Sequence, residues 1–72
     1  MAWSQSTFSS MISDVGYDPD RQMLSVKFAE SGAIWEYGPM DEATAQALAN
    51  APSVGRMFLS EIKPQYPARR VG

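Results

Sequence analysis

The residues of this chain best suited to chemistry are Ser53-Val54-Gly55-Arg56 and the cations that follow them, Lys63, Arg69 and Arg70. A serine placed ahead of a helix leaves free N–H groups and partial positive charge at the helix start, and Gly55 lets a ligand approach the backbone. Arg56 adds a planar fork that grips a phosphate or carboxylate through two parallel hydrogen bonds. The chemistry on offer is anion binding, extended by Lys63, Arg69 and Arg70 into a basic strip along the tail. The competing structural reading is an ordinary serine cap, with Gly55 admitted because the helix packs tightly on a neighbouring strand. Trp35 and Tyr37 form a second candidate: two residues apart, they share one face of a strand and could stack unpaired bases. Against this, burying one such ring is worth on the order of 2–3 kcal/mol, and so small a core needs both.

Catalysis finds no support in the side chains. Histidine and cysteine are both absent, which removes the usual general base, the usual zinc ligand, disulfides and thiolate metal sites together. No cofactor or metal is expected. Asp18-Pro19-Asp20-Arg21 has the composition of a type I turn and lacks the further oxygens of a calcium loop.

At 72 residues with a formal charge of −2, the chain has room for one domain and one small core. The net charge argues against broad attraction to phosphate backbones. Its distribution is uneven: an acidic body up to Val54 feeds a basic stretch with Arg56, Lys63, Arg69 and Arg70 against Glu61. The N-terminus carries no basic side chain ahead of an apolar run, and no stretch nears the roughly 20 apolar residues that span a bilayer. A cytoplasmic protein is the expectation.

The elements that position these residues follow from periodicity. Residues 1–9 read as a flexible N-terminal arm with an exposed Trp3, and residues 10–72 as one domain ending in an extended tail. A first strand ends at Tyr17, with Ile12, Val15 and Tyr17 inward and a bulge near Ser13 restoring their register. Leu24, Val26 and Phe28 alternate cleanly on a second strand. Gly32 turns the chain into a third, whose inward set is Ala33, Trp35 and Tyr37. Met40, Ala43, Thr44, Ala47, Leu48 and Ala51 then recur at helical spacing, with Asp41 as cap and Pro52 as terminator. A second helix carries Val54, Met57, Phe58 and Ile62 at core spacing, stops at Pro64, and is followed by a tail anchored by Tyr66. The expected architecture is α+β: a three-stranded antiparallel meander with two helices on one sheet face, β-β-β-α-α. The predicted core is Ile12, Val15, Tyr17, Leu24, Val26, Phe28, Trp35, Tyr37, Leu48, Met57, Phe58 and Ile62. Trp3 and Leu59 are the apolar residues hardest to place inside.

The ordered set Val15-Gly16-Tyr17-Asp18-Pro19, Leu24-Ser25-Val26-Lys27-Phe28, Trp35-Glu36-Tyr37, Asn50-Ala51-Pro52-Ser53-Val54-Gly55-Arg56-Met57-Phe58 and Ile62-Lys63…Tyr66-Pro67 resembles the KTSC domain. That family is named for a C-terminal extension of some lysyl-tRNA synthetases and also occurs as stand-alone small proteins of bacteria and phages. The resemblance covers about Ser10 to Val71 and implies the stand-alone form and RNA binding. Trp35 stands where the family's central motif has a tyrosine, Val54 where it often has lysine, and Leu59 where asparagine often follows the phenylalanine. The last two changes remove polar groups that a nucleic acid would contact. Two functions from different classes are therefore expected: a non-enzymatic module binding RNA or tRNA through Ser53, Gly55, Arg56, Lys63, Arg69 and Arg70, or a protein-interaction module or phage-type inhibitor of a host protein acting through an apolar patch or sheet edge.

Overall fold

The computed structural model describes residues 2–72. Its strands are β1 (Trp3–Ser6), β2 (Ile12–Asp18), β3 (Met23–Phe28), β4 (Ile34–Tyr37) and β5 (Ala68–Arg70). The helices α1 (Glu42–Ala49) and α2 (Val54–Met57) lie between β4 and β5, and α2 runs on into a π-helical segment, Phe58–Ile62. The class is α+β with antiparallel pairing, but the sheet has five strands in the order β1-β2-β3-β4-β5. The three-stranded meander is corrected at both edges.

At one edge, the expected arm over residues 1–9 contains β1, which pairs with β2 from Trp3↔Tyr17 to Ser6↔Asp14. Serine and glutamine are poor strand formers, so propensity gave no sign of it. Tertiary contacts supply what the local sequence lacks. The Trp3 ring lies 6.2 Å from that of Tyr17, and its indole Nε1 donates to Glu42 Oε2 at 3.0 Å. Gln5 Nε2 donates to the carbonyl of Ala49 at 3.1 Å, satisfying one of the free carbonyls at the end of α1. β1 is thus clasped to both ends of α1, and Trp3 is half-buried, not exposed. At the other edge, the tail is a strand: Trp35↔Arg70, Glu36↔Arg69 and Tyr37↔Ala68 pair β4 with β5.

Cross-strand partners share a face, so the register sorts the side chains. Val15, Tyr17, Leu24, Val26, Trp35 and Tyr37 point toward the helices, while Asp14, Gly16, Ser25, Lys27, Glu36 and Arg69 occupy the other face. The register between β2 and β3 shifts between Ile12 and Asp14, which lets Ile12 join Val15 and Tyr17 inside. Ile12, Val15, Leu24, Val26, Leu48 and Ile62 are sealed from solvent, and Tyr17, Tyr37 and Phe58 nearly so. The Tyr17 hydroxyl donates to the Met40 carbonyl at 2.6 Å, so this buried phenol keeps its hydrogen bond.

Three residues assigned to the core, Phe28, Trp35 and Met57, are only partly buried. Trp35 lies one pair from the end of β4 against a three-residue edge strand, so nothing broad covers it. The buried stripe of α1 is Ala45, Leu48 and Ala49; Ala43 and Ala47 face solvent. Five alanines at alternate positions from 43 to 51 fit several helical faces, and Leu48 alone fixes which one turns inward. Tyr37 is covered by Phe58, edge to face at 5.2 Å and 87°. The Lys63 N–H reaches the Phe58 carbonyl at 2.9 Å, a five-residue step that marks the widened turn.

Candidate functional site

The predicted anion-binding residues do not converge. Ser53 caps α2 in an extended conformation, but its side chain makes no cap hydrogen bond. Gly55 is half-buried, and a Cβ there would meet Ser9 Oγ at 3.2 Å and Met11 Cβ at 3.8 Å. Its smallness therefore admits the β1–β2 loop against α2. Arg56 is exposed at the end of this single turn and borders a cleft between that loop and Ala49–Leu59. Lys63 lies beyond the π segment on a different groove. Arg69 and Arg70, adjacent on β5, project to opposite faces of the sheet. Arg70 Nε donates to the Gly72 carbonyl at 2.9 Å, and Arg69 reaches Glu36 Oε1 at 3.4 Å. The strip is dispersed over two clefts and two faces.

Glu36 explains the placement of Arg69. On the sheet face away from the helices, the Glu36 side chain is only 9% exposed because two guanidinium groups cover its carboxylate. Arg21, from the β2–β3 turn, forms a close ion pair through Nη2 and also donates from Nε to Asp18 at 2.9 Å. Arg21 chiefly, with Arg69 in support, holds the Glu36 carboxyl below the usual carboxylate range, and the hydrogen bond from Arg21 lowers Asp18 likewise. Both carboxylates are thus stabilised in the folded state. Their contribution is complete above the unfolded carboxylate range, about pH 4, and is lost as pH falls through their depressed folded values. Urea midpoints are expected to hold steady from neutral pH to about 5 and to fall below that. In Glu36→Gln the acid-side fall is expected to be shallower; an unchanged profile would remove this group from the linkage.

What the structure does assemble is an aromatic groove of about 650 Å³ between the π segment and the sheet. It runs from Met11 and Phe28 at one end, past Trp35, Tyr37 and Phe58, to Tyr66 and Ala68 at the other, with Leu59 and Lys63 on its helical rim. Phe28 packs edge-on against Phe58 at 5.6 Å and 72°, so the floor is built of interlocked rings in a favoured arrangement. Burial raises the pKa of the Tyr37 phenol, keeping it neutral. Phe28, Trp35 and Tyr66 remain partly open, and Leu59 is 49% exposed. A concave, mostly apolar surface with one cation on its rim suits an apolar side chain or a flat ring. Among the described residues, its lining carries no histidine, cysteine or carboxylate.

Sequence reasoning flagged Leu59 as hard to bury and Tyr66 as an anchor, but took Trp35 and Phe28 as sealed core. Alternation shows which face a residue takes and not how far the cover over that face extends. Phe8 lies in the β1–β2 loop, fully exposed. The loop is held by hydrogen bonds from the Thr7 hydroxyl to the Ile12 carbonyl and from the Met11 N–H to Ser9 Oγ at 3.1 Å.

Comparison with known proteins covers most of the chain. A sequence model of the KTSC domain matches residues 8–66, a span holding every residue of the groove except Ala68. An uncharacterised protein of Stutzerimonas stutzeri is 43% identical over 58 residues, 81% of this chain and 80% of that protein. A lysine–tRNA ligase of a Nostoc species is 39% identical over 57 residues, 79% of this chain but 10% of the ligase. The crystal structure of a KTSC domain protein from Yersinia pestis superposes with a TM-score of 0.89 at 36% identity, covering 100% of both chains.

Proposed function

The chain belongs to the KTSC domain family, and from that premise we propose a small non-enzymatic binding module that receives an apolar side chain of a partner protein in its aromatic groove. The observation carrying this reading is the groove itself: Phe28, Trp35 and Tyr66 left partly open beside an exposed Leu59. Large aromatic residues at the centre of a concave patch, with polar groups at the rim, are the usual anchors of protein recognition. The dispersal of Arg56, Lys63, Arg69 and Arg70 weighs against the anion strip as the main contact surface.

The test is selection of random displayed peptides on the immobilised protein, followed by titration of those selected. Peptides with an aromatic or aliphatic anchor are expected, and Leu59→Glu is expected to weaken them about tenfold. Because Leu59 is half exposed, that variant should melt within about 4 °C of the parent. Selected peptides that bind the variant as tightly would dismiss the groove.

A second reading is favoured by one observation, the similarity to a segment of a lysine–tRNA ligase. In that reading an unpaired base stacks on Trp35 while Lys63 neutralises its phosphate. Titration with single-stranded RNA and tRNA separates the two: binding that collapses between low and moderate salt belongs to the nucleic-acid reading.

A further inference from the structure

Two edges of the sheet are open, and they differ in what lies beside them. The pairing of β4 with β5 is antiparallel, and the flanking hydrogen bonds fix which groups are used. The Gly38 N–H donates to the Pro67 carbonyl at 3.1 Å, and the Val71 N–H to the Ile34 carbonyl at 2.8 Å. Hydrogen-bonded pairs alternate along an antiparallel ladder, so Glu36↔Arg69 is the hydrogen-bonded pair between them. The N–H and C=O groups of Ala68 and Arg70 therefore point away from β4, along the free edge. Their side chains lie on the helix side, since their partners are Tyr37 and Trp35, and Ala68 lines the groove. At the opposite edge α1 lies over the helix-side face of β1, held there by Trp3 to Glu42 and Gln5 to Ala49. At β5 the helix-side face opens into one end of the groove, with Ala68 in its wall.

We propose that the partner enters as an extended acidic segment that joins the sheet as a strand next to β5, its backbone pairing with Ala68 and Arg70 and its alternate side chains filling the aromatic groove. This rests on the groove reading and adds the backbone register and the charge of the partner. Strand addition takes affinity from main-chain hydrogen bonds and specificity from side-chain pockets on one face, and this edge supplies both. The charge follows from the cations around it. Lys63 stands on the groove rim, Arg70 projects on the groove side, and Arg69 projects on the other side with 70% of its side chain exposed. Glu36, the acid nearest to them in the register, is already covered by Arg21 and Arg69. Acidic side chains alternating with the groove-filling ones meet Arg69 on the other face, and acids at the ends of the segment meet Lys63 and Arg70.

The probe is a labelled synthetic peptide of about seven residues, an ordinary strand length, alternating glutamate with leucine. Two N-methylated versions carry methyl groups on the amides of one edge or the other. A strand presents one edge to β5, so one version is expected to bind like the parent and the other to fall about tenfold or more. Ala68→Pro removes the outward N–H without touching the β4 ladder, which uses the groups of Arg69, and is expected to weaken the parent peptide about tenfold. Amide exchange at Ala68 and Arg70, followed by NMR, should slow when the peptide is bound. Equal binding of both N-methylated versions, with the Trp35 and Leu59 resonances shifted and the two amides unprotected, would overturn strand addition and leave the groove reading standing. A lysine–leucine peptide binding as tightly as the glutamate–leucine one would overturn the acidic partner. Failure of the glutamate–leucine peptide while selected peptides still occupy the groove would sink this inference alone, and failure of every peptide would sink both.

Discussion

Phe58→Ala is expected to leave the protein at the edge of unfolding at room temperature. The ring is 2% exposed and stands at the junction of α2 with the π segment. It meets Phe28 and Tyr37 edge to face. Truncating a buried phenylalanine costs about 3–5 kcal/mol, through lost transfer energy and the cavity left behind. A domain of this size has a total stability near the low end of about 5–15 kcal/mol, so the loss consumes most of it. Urea unfolding followed by far-ultraviolet circular dichroism measures it, with Phe8→Ala as control. Phe8 is fully exposed, and its truncation is expected to move stability by less than about 0.5 kcal/mol. Similar losses in the two variants would contradict the packing described.

Gly38→Ala is expected to cost on the order of 3 kcal/mol and to disturb the groove as well. Gly38 holds φ at 149°, a region for which side-chain-bearing residues are strained. A Cβ there would sit 2.8 Å from the Gln22 carbonyl oxygen and 3.2 Å from the Met40 nitrogen, both main-chain atoms unable to swing aside. Gly32 is the useful contrast: its φ is 74°, but nothing lies within 4 Å of the added carbon. Gly32→Ala should cost about 1–2 kcal/mol, the backbone term alone. The two urea midpoints decide the matter, and equal shifts would show that crowding at Gly38 has been relieved. Because the Gly38 N–H holds the Pro67 carbonyl at the entry to β5, peptide affinity should fall in Gly38→Ala and stay unchanged in Gly32→Ala.

The central strands were legible because their signals are local. Leu24, Val26 and Phe28 alternate without interruption, and the bulge beside Ser13 was needed to bring Ile12 into register with Val15. The edges were hidden for a physical reason. β1 is held by a tryptophan and a glutamine reaching α1 some forty positions away, and β5 by a ladder with β4 and an ion pair to Glu36. Neither stretch has the β-branched composition that marks a strand on its own. The candidate site suffered in the same way. Arg56, Lys63, Arg69 and Arg70 are neighbours in a basic stretch of sequence, yet strand alternation at Arg69-Arg70 and the turn after Lys63 send them to separate surfaces. The groove draws Met11, Phe28, Trp35, Leu59 and Tyr66 from separate stretches, and its advance signs were the Trp35–Tyr37 pair on one strand face and Leu59, hard to place inside. The family was legible as an ordered set of short stretches, because such a set records the order of elements even where no single motif is diagnostic.

The strand order also bears on assembly. Each of the first four strands finds its ladder partner next to it along the chain, so three hairpins close over short loops at small entropic expense. β5 is the exception. It reaches β4 across roughly thirty intervening residues that form the helical layer, and that closure is held by three residue pairs, the backbone bonds that flank them and one ion pair. β5 is therefore expected to be the last strand to arrive and the first to leave. The groove wall that includes Ala68 is finished only when the rest of the molecule is already in place, so a ligand there would hold shut the least cooperative part of the fold.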